Sequence, residues 1–242
     1  MSALGHYLEE AGIATVAIAL IRPQAENTRP PRALWVPFEL GRPFGPPSDA
    51  AFQKHVLSSA LGMLVDGGGP VRIVDFPDDD PRARPDPTWQ PPFAAAAVIN
   101  GAAGSLAAAL QAEVLLLQDA HKRWMARYGR STVGLSGLSI ADCARYVADW
   151  LSGRAPPSPR DGFSAPLTLR FAVDDLKAYC LEAAGDGTAR PSSRQLADWL
   201  WNATATGTAI RALRDLLLTQ EDERLRLIVA NFMVPAARLR TG

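Results

Sequence analysis

Hydrophobic and polar positions divide the chain into a first third of short mixed elements and a remainder with helical periodicity. Leu4, Tyr7, Leu8 and Ala11 share one side of a short amphipathic helix that Gly12 ends. Residues 14–21 are continuously apolar and rich in β-branched side chains, which predicts a strand buried on both faces. Pro23 stops it, residues 24–31 read as a polar loop, and residues 33–36 predict a second short strand ended by Pro37. Gly41, Gly45, Pro43, Pro46 and Pro47 exclude regular structure from residues 38–47. Ser48 and Asp49 are N-cap residues for a helix to about Leu64, with Phe52, Val56, Ala60 and Leu64 on one stripe and His55 beside it. Asp66-Gly-Gly-Gly-Pro breaks that helix, and residues 71–74 predict a third strand.

Residues 75–92 hold Pro77, Pro81, Pro85, Pro87, Pro91 and Pro92, so they form an extended, non-helical linker or arm. Residues 94–104 are small and suit close helix packing. Leu106, Leu110, Val114, Leu117, His121 and Trp124 recur at spacings of three and four, predicting one long amphipathic helix. Further helices open at Ser139 with Asp142, span residues 167–184, open at Ser192 with Gln195, pass through Ile210, Leu213 and Leu217, and open at Thr219 with Asp222. The predicted fold class is therefore α/β: a small parallel-type half-sheet at the N-terminus with a larger, mainly α-helical C-terminal lobe. The domain boundaries are 1–75, 76–92 and 93–242.

Composition narrows the functional classes. Lys plus Arg and Asp plus Glu are each 25, and this balance argues against nucleic acid or a polybasic membrane surface as partner. The longest strongly apolar run falls far short of the ~20 residues of a spanning helix, and residues 1–12 carry Glu9 and Glu10 but no basic leader region, so a cytoplasmic location is expected. Abundant Ala, Arg and Pro with scarce Lys suggest a GC-rich bacterial genome. Two cysteines, no CxxC and three histidines make a protein-built metal site unexpected, and nothing in the pattern calls for a cofactor.

Several short motifs occur in a recognisable order: Gly12-Ile-Ala-Thr-Val16 after an acidic helix, Pro31-Arg-Ala-Leu-Trp-Val36, Phe38-Glu-Leu-Gly41, Gly45-Pro46, and Phe52-Gln53 before Ala60-Leu61. This order resembles the C-terminal part of the glycine/sarcosine/betaine reductase selenoprotein B family and its D-proline reductase relatives. The resemblance covers about a quarter of the chain, residues 1–65, and departs from the family where Ala14 and Glu39 replace prolines. In that family a redox-active selenocysteine or cysteine lies just upstream of the helix that precedes the first strand. Met1 already lies inside that helix. The resemblance thus implies an accessory or half-site subunit of a reductase-like complex acting by reductive C–N cleavage on a small amino-acid-like substrate. A homologous longer subunit would supply the redox Cys or selenocysteine, in a hetero-oligomer.

Candidate site residues follow from placement. The 38–47 loop joins a strand to a helix, at the carboxyl end of a strand where open α/β folds bind ligands. Arg42 in it and Arg32 before the strand would grip a substrate carboxylate, with Glu39 for an amine and Glu26 in the preceding loop facing the same crevice. The plainer reading is a rigid connector with Arg42 paired to Glu39. Cys143, in a helical first turn where the dipole favours a thiolate, and His121 are candidate nucleophile and base of a stand-alone enzyme; each also reads as an ordinary core residue. A non-catalytic structural or oligomerisation protein is the remaining class.

Overall fold

The computed structural model describes residues 2–65, 70–93 and 105–239. The chain divides into two units, residues 1–84 and 85–242. The helix expected over residues 94–104 lies outside the described residues.

Unit 1 is a three-stranded parallel sheet with helices between its strands. Helix α1 (Ser2–Glu10) leads into β1 (Ala17–Ala19), α2 (Arg22–Thr28), β2 (Arg32–Trp35), α3 (Ala50–Val65) and β3 (Arg72–Asp75). The strand order is β1-β2-β3, with Ala17 opposite Ala33 and Leu34 opposite Val74. β2 is the central strand, and Ala33 and Leu34 are buried. β1 is shorter than its apolar sequence predicts, and half-buried rather than sealed on both faces. It pairs on one side only, and just before it the Thr15 N–H is taken by the Glu9 carboxylate at 2.5 Å instead of by a neighbouring strand.

The expected loop over residues 24–31 is in part a helix. Pro23 stands in the first turn of α2, where its missing N–H costs nothing, and Arg29 closes the turn in a left-handed conformation, its N–H on the Ala25 carbonyl. Asp49 caps α3 by accepting from Phe52 N at 3.0 Å. The apolar stripe of α3 buries Val56, Ala60 and Met63 against Leu34, Val36 and Phe38. Phe38, Phe52 and Phe76 stack with centroids 5.5 to 6.0 Å apart. Gly45 serves this cluster: its φ is +83°, and a Cβ there would lie 2.5 Å from the Phe52 ring.

Unit 2 is an irregular helical bundle: α4 (Leu106–Leu116), α5 (Gln118–Tyr128), α6 (Ile140–Leu151), α7 (Ala165–Ala184), α8 (Ser193–Ala203), α9 (Ala205–Leu217) and α10 (Glu223–Phe232). α7 is the central element and packs against α5, α6, α8, α9 and α10. The single long helix predicted from Leu106 to Trp124 is two, broken at the fully buried Leu117. Serine side chains cap α4, α6, α7 and α8, and Ser192 with Gln195 forms a full capping box. Thr219 does not open α10; its hydroxyl bonds the Leu216 carbonyl, and Asp222 is the cap. The proline-rich segment is held by hydrogen bonds within each unit. Asp80 caps a short 3-10 turn at Pro81–Ala83 in unit 1, and in unit 2 Asp86 accepts from Arg190 N at 2.8 Å. Among the described residues no helix is long and apolar enough to cross a membrane.

Candidate functional site

The carboxyl ends of the three strands carry a linked set of side chains. Arg22 follows β1, Trp35 ends β2 and Asp75 ends β3; Ala19, Trp35 and Asp75 lie in register across the sheet. The Arg22 guanidinium lies 5.5 Å from the Trp35 ring centroid, pairs with Glu26 at 3.0 Å and forms an ion pair with Asp75. One cation thus ties the ends of all three strands together over an aromatic floor. The 38–47 loop leaves the same end of β2. There Arg42 and Glu39 are 3.7 Å apart, both about half exposed, and the turn is held by Arg42 N on Glu39 O and Gly45 N on Arg42 O. His55 on α3 lies 3.2 Å from Asp78, beyond β3.

Arg32 is elsewhere. It begins β2, so it stands at the opposite end of that strand from the 38–47 loop, and the two-arginine grip expected of Arg32 with Arg42 is not assembled. Its Nη1 is 2.6 Å from Glu9 Oε1, which also accepts Thr15 N at 2.5 Å and the Thr15 hydroxyl at 3.1 Å. The Thr15 N–H, more than burial can offset, holds the Glu9 carboxyl below its usual pKa. Beside this pair is an apolar cavity of about 160 Å³ walled by Leu4, Leu8, Val16, Pro30 and Pro31. The Arg32 Nε–H is covered and has no hydrogen-bond partner.

In unit 2, Cys143 and His121 belong to two separate polar clasps. Cys143 is fully buried, and burial pushes its thiol up to about 11, against the lowering expected from its helical position. The nearby charges of Asp175 and Asp142 work in the same direction. Its Sγ lies 3.3 Å from Ser136 Oγ, which donates to Asp175; Asp175 also accepts Gly134 N, Leu135 N and Ser136 N at 2.8 to 2.9 Å. His121 donates from Nε2 to Glu182 at 2.9 Å and stacks 4.5 Å from Tyr179. Glu182 also accepts the Ser131 hydroxyl, Thr132 N and the Thr132 hydroxyl. The two carboxylates thus fasten residues 131–136 to α7. Cys180 is fully buried, and its thiol pKa is pushed far up by burial and then by the Glu113 charge.

Sequence reading missed Glu9, Arg22, Asp75, Asp175 and Glu182. A signal existed for the last two. Thr168, Asp175 and Glu182 recur every seven residues on a helix whose same face buries apolar side chains, and a polar row on a buried face must be hydrogen-bonded. Among the described residues no cluster of His, Cys, Asp or Glu would hold a metal ion. No family model, curated protein or solved structure matches the chain.

Proposed function

We propose that the chain is an accessory, substrate-side subunit of a reductase-like assembly, acting by reductive C–N cleavage on a small amino-acid-like substrate, with the redox thiol or selenol supplied by a longer homologous partner. The observation that carries this reading is the state of the cysteines: both are fully buried and held as thiols, Cys143 with a pKa of about 11. A thiol attacks as its thiolate, so neither residue is placed to do redox chemistry with a bound substrate. The same burial counts against a stand-alone enzyme using Cys143, and the carboxylate clasp around His121 counts against a free base there.

Unit 1 offers what such a subunit needs. Arg32, ion-paired with Glu9, lines a small apolar cavity and brings a cation to its wall, where a substrate carboxylate could bind. The outer edges of β1 and β3 are unpaired among the described residues, and Leu57, Leu61 and Val65 leave an apolar row exposed on α3. Open sheet edges and apolar rows are normally covered, which favours an oligomer.

The test is purification from the native host, identification of the co-purifying chain by mass spectrometry, and assay of the pure chain and the assembly with dithiothreitol and small amino acids. A partner with a cysteine or selenocysteine upstream of a related helix, and turnover only in the assembly, are expected. Turnover by the chain alone that disappears in Cys143→Ser or Cys180→Ser overturns the proposal.

A further inference from the structure

We infer that the outer edge of β1 is a contact surface between two copies of this chain, paired antiparallel about a twofold axis at Ile18. The inference stands apart from the reductase reading, whose partner is a different and longer chain. Val36 N donates to the Ala19 carbonyl at 2.9 Å, so Ala19 turns its backbone groups toward β2. Neighbouring residues of a strand present those groups to opposite sides. The N–H and C=O of Ile18 therefore point away from β2, to a side where no strand among the described residues receives them. The two outer edges of the sheet also differ. β3 carries Arg72 and Asp75, and charged residues on an edge discourage pairing. β1 has no such guard: from Ala11 to Ile21 there is no charged residue.

The occupant follows from the pattern along that edge, which complements itself when reversed. With Ile18 on the axis, Ile18 meets Ile18, Ala17 meets Ala19 and Val16 meets Leu20. Val16, Ile18 and Leu20 pack against the cluster of Leu34, Val36 and Phe38, so large side chains meet large ones on that face. Alanine meets alanine on the other face, and a slip of one residue would lose the match. A twofold dimer requires this property, because the same patch serves both copies; a different chain does not require it. The flanking charges fix the direction. Glu9 and Glu10 precede the run and Arg22 follows it. Antiparallel pairing sets the acidic end of one copy toward the basic end of the other, whereas parallel pairing would set like beside like. Ile18 of each copy then gives its N–H to the carbonyl of the other, the closed pair of an antiparallel ladder.

The experiment is sedimentation equilibrium of the pure full chain and three variants, with far-UV circular dichroism as the check of folding. The wild type should dimerise with a dissociation constant of about 10 to about 100 µM, as suits an edge much smaller than a standard interface. Ala17→Lys together with Ala19→Lys sets like charges opposite each other across the twofold and should weaken the dimer at least about tenfold. Ala17→Lys together with Ala19→Glu sets unlike charges opposite each other in the same register and should restore it. Ile18→Pro removes the outward N–H at the centre while Ala17 and Ala19 still face β2, and should also leave a monomer. It carries the test if the charged variants do not fold. A wild type that stays monomeric to about 500 µM overturns the inference, whether the edge is bare or covered within the chain. So does a folded double-lysine or Ile18→Pro variant that dimerises as tightly as the wild type, or a lysine–glutamate variant no tighter than the double lysine.

Discussion

Replacing Glu182 by glutamine removes a charge from a position where four donors converge. Oε1 accepts Thr132 N at 2.7 Å and the Thr132 hydroxyl at 2.8 Å; Oε2 accepts the Ser131 hydroxyl at 2.7 Å and His121 Nε2 at 2.9 Å. Glutamine keeps the volume and one carbonyl oxygen. The Thr132 backbone N–H cannot turn away, so the carbonyl stays toward Thr132 and the amide NH2 meets Ser131 and His121. The serine hydroxyl rotates to accept, and His121 changes tautomer to do the same. A hydrogen bond to an ionised acceptor contributes about 1.5–3 kcal/mol and a neutral one about 0.5–1.5, so the two bonds to Thr132 lose about 2 kcal/mol together. For a unit of this size that lowers the melting temperature by about 4–8 °C. Burial pushes the Glu182 pKa up, but bonds from Thr132, Ser131 and His121 outweigh it and hold the carboxyl below its ordinary value. A carboxyl lowered in the folded state stabilises the fold above its unfolded pKa and loses that contribution as pH falls through the folded one. The gap between wild type and variant therefore closes as the Glu182 carboxyl itself takes a proton. Thermal unfolding followed by far-UV circular dichroism, stepped from about pH 7 to about pH 3, measures the gap. Equal melting temperatures at neutral pH, or a gap that stays constant into acid, refute the reasoning.

Three further outcomes are expected. Burial raises the Glu113 pKa despite bonds from Thr206 and Ala205, so the folded state prefers the protonated acid and loses stability as pH rises through that raised pKa; Glu113→Gln should give a flatter stability profile from about pH 4 to about pH 8 in urea titrations. Gly207→Ala places a Cβ 2.1 Å from the Leu200 carbonyl oxygen, inside the α8–α9 corner, and should cost about 3 kcal/mol by denaturant titration. Arg42→Lys should leave the melting temperature within about 2 °C, because its pair with Glu39 is exposed. In the proposed assembly the same change should weaken substrate use about tenfold, which steady-state kinetics would detect.

Local signals placed most of the architecture. The side-chain caps at Asp49, Ser139 and Ser192 act within three residues of themselves, and the sequence shows them directly. The three strands were legible because short apolar runs lie between turn residues. What failed was decided at longer range. Residues 24–28 look polar and loop-like, but Pro23 and the left-handed Arg29 make them helical. The apolar stripe runs unbroken past Leu117, so the bend there has no sequence marker. Arg32 and Arg42 are close in sequence, yet the strand between them carries them apart. The clasp residues Asp175 and Glu182 find partners 39 to 61 positions away, beyond the reach of any local pattern.

The tryptophans are unevenly shared. Trp89, Trp124, Trp150, Trp199 and Trp201 all belong to residues 85–242, and Trp35 is the one tryptophan of residues 1–84. Seven of the ten described helices also belong to the second group. Tryptophan emission therefore follows the helical unit almost alone, and the sheet unit can melt with little change in fluorescence. Scanning calorimetry registers both, because absorbed heat scales with the number of residues that unfold. Conversely, a chain with phenylalanine at the other five positions would emit from Trp35 only. Its spectrum would then report directly on the guanidinium stacked above that ring and on any molecule that displaces it.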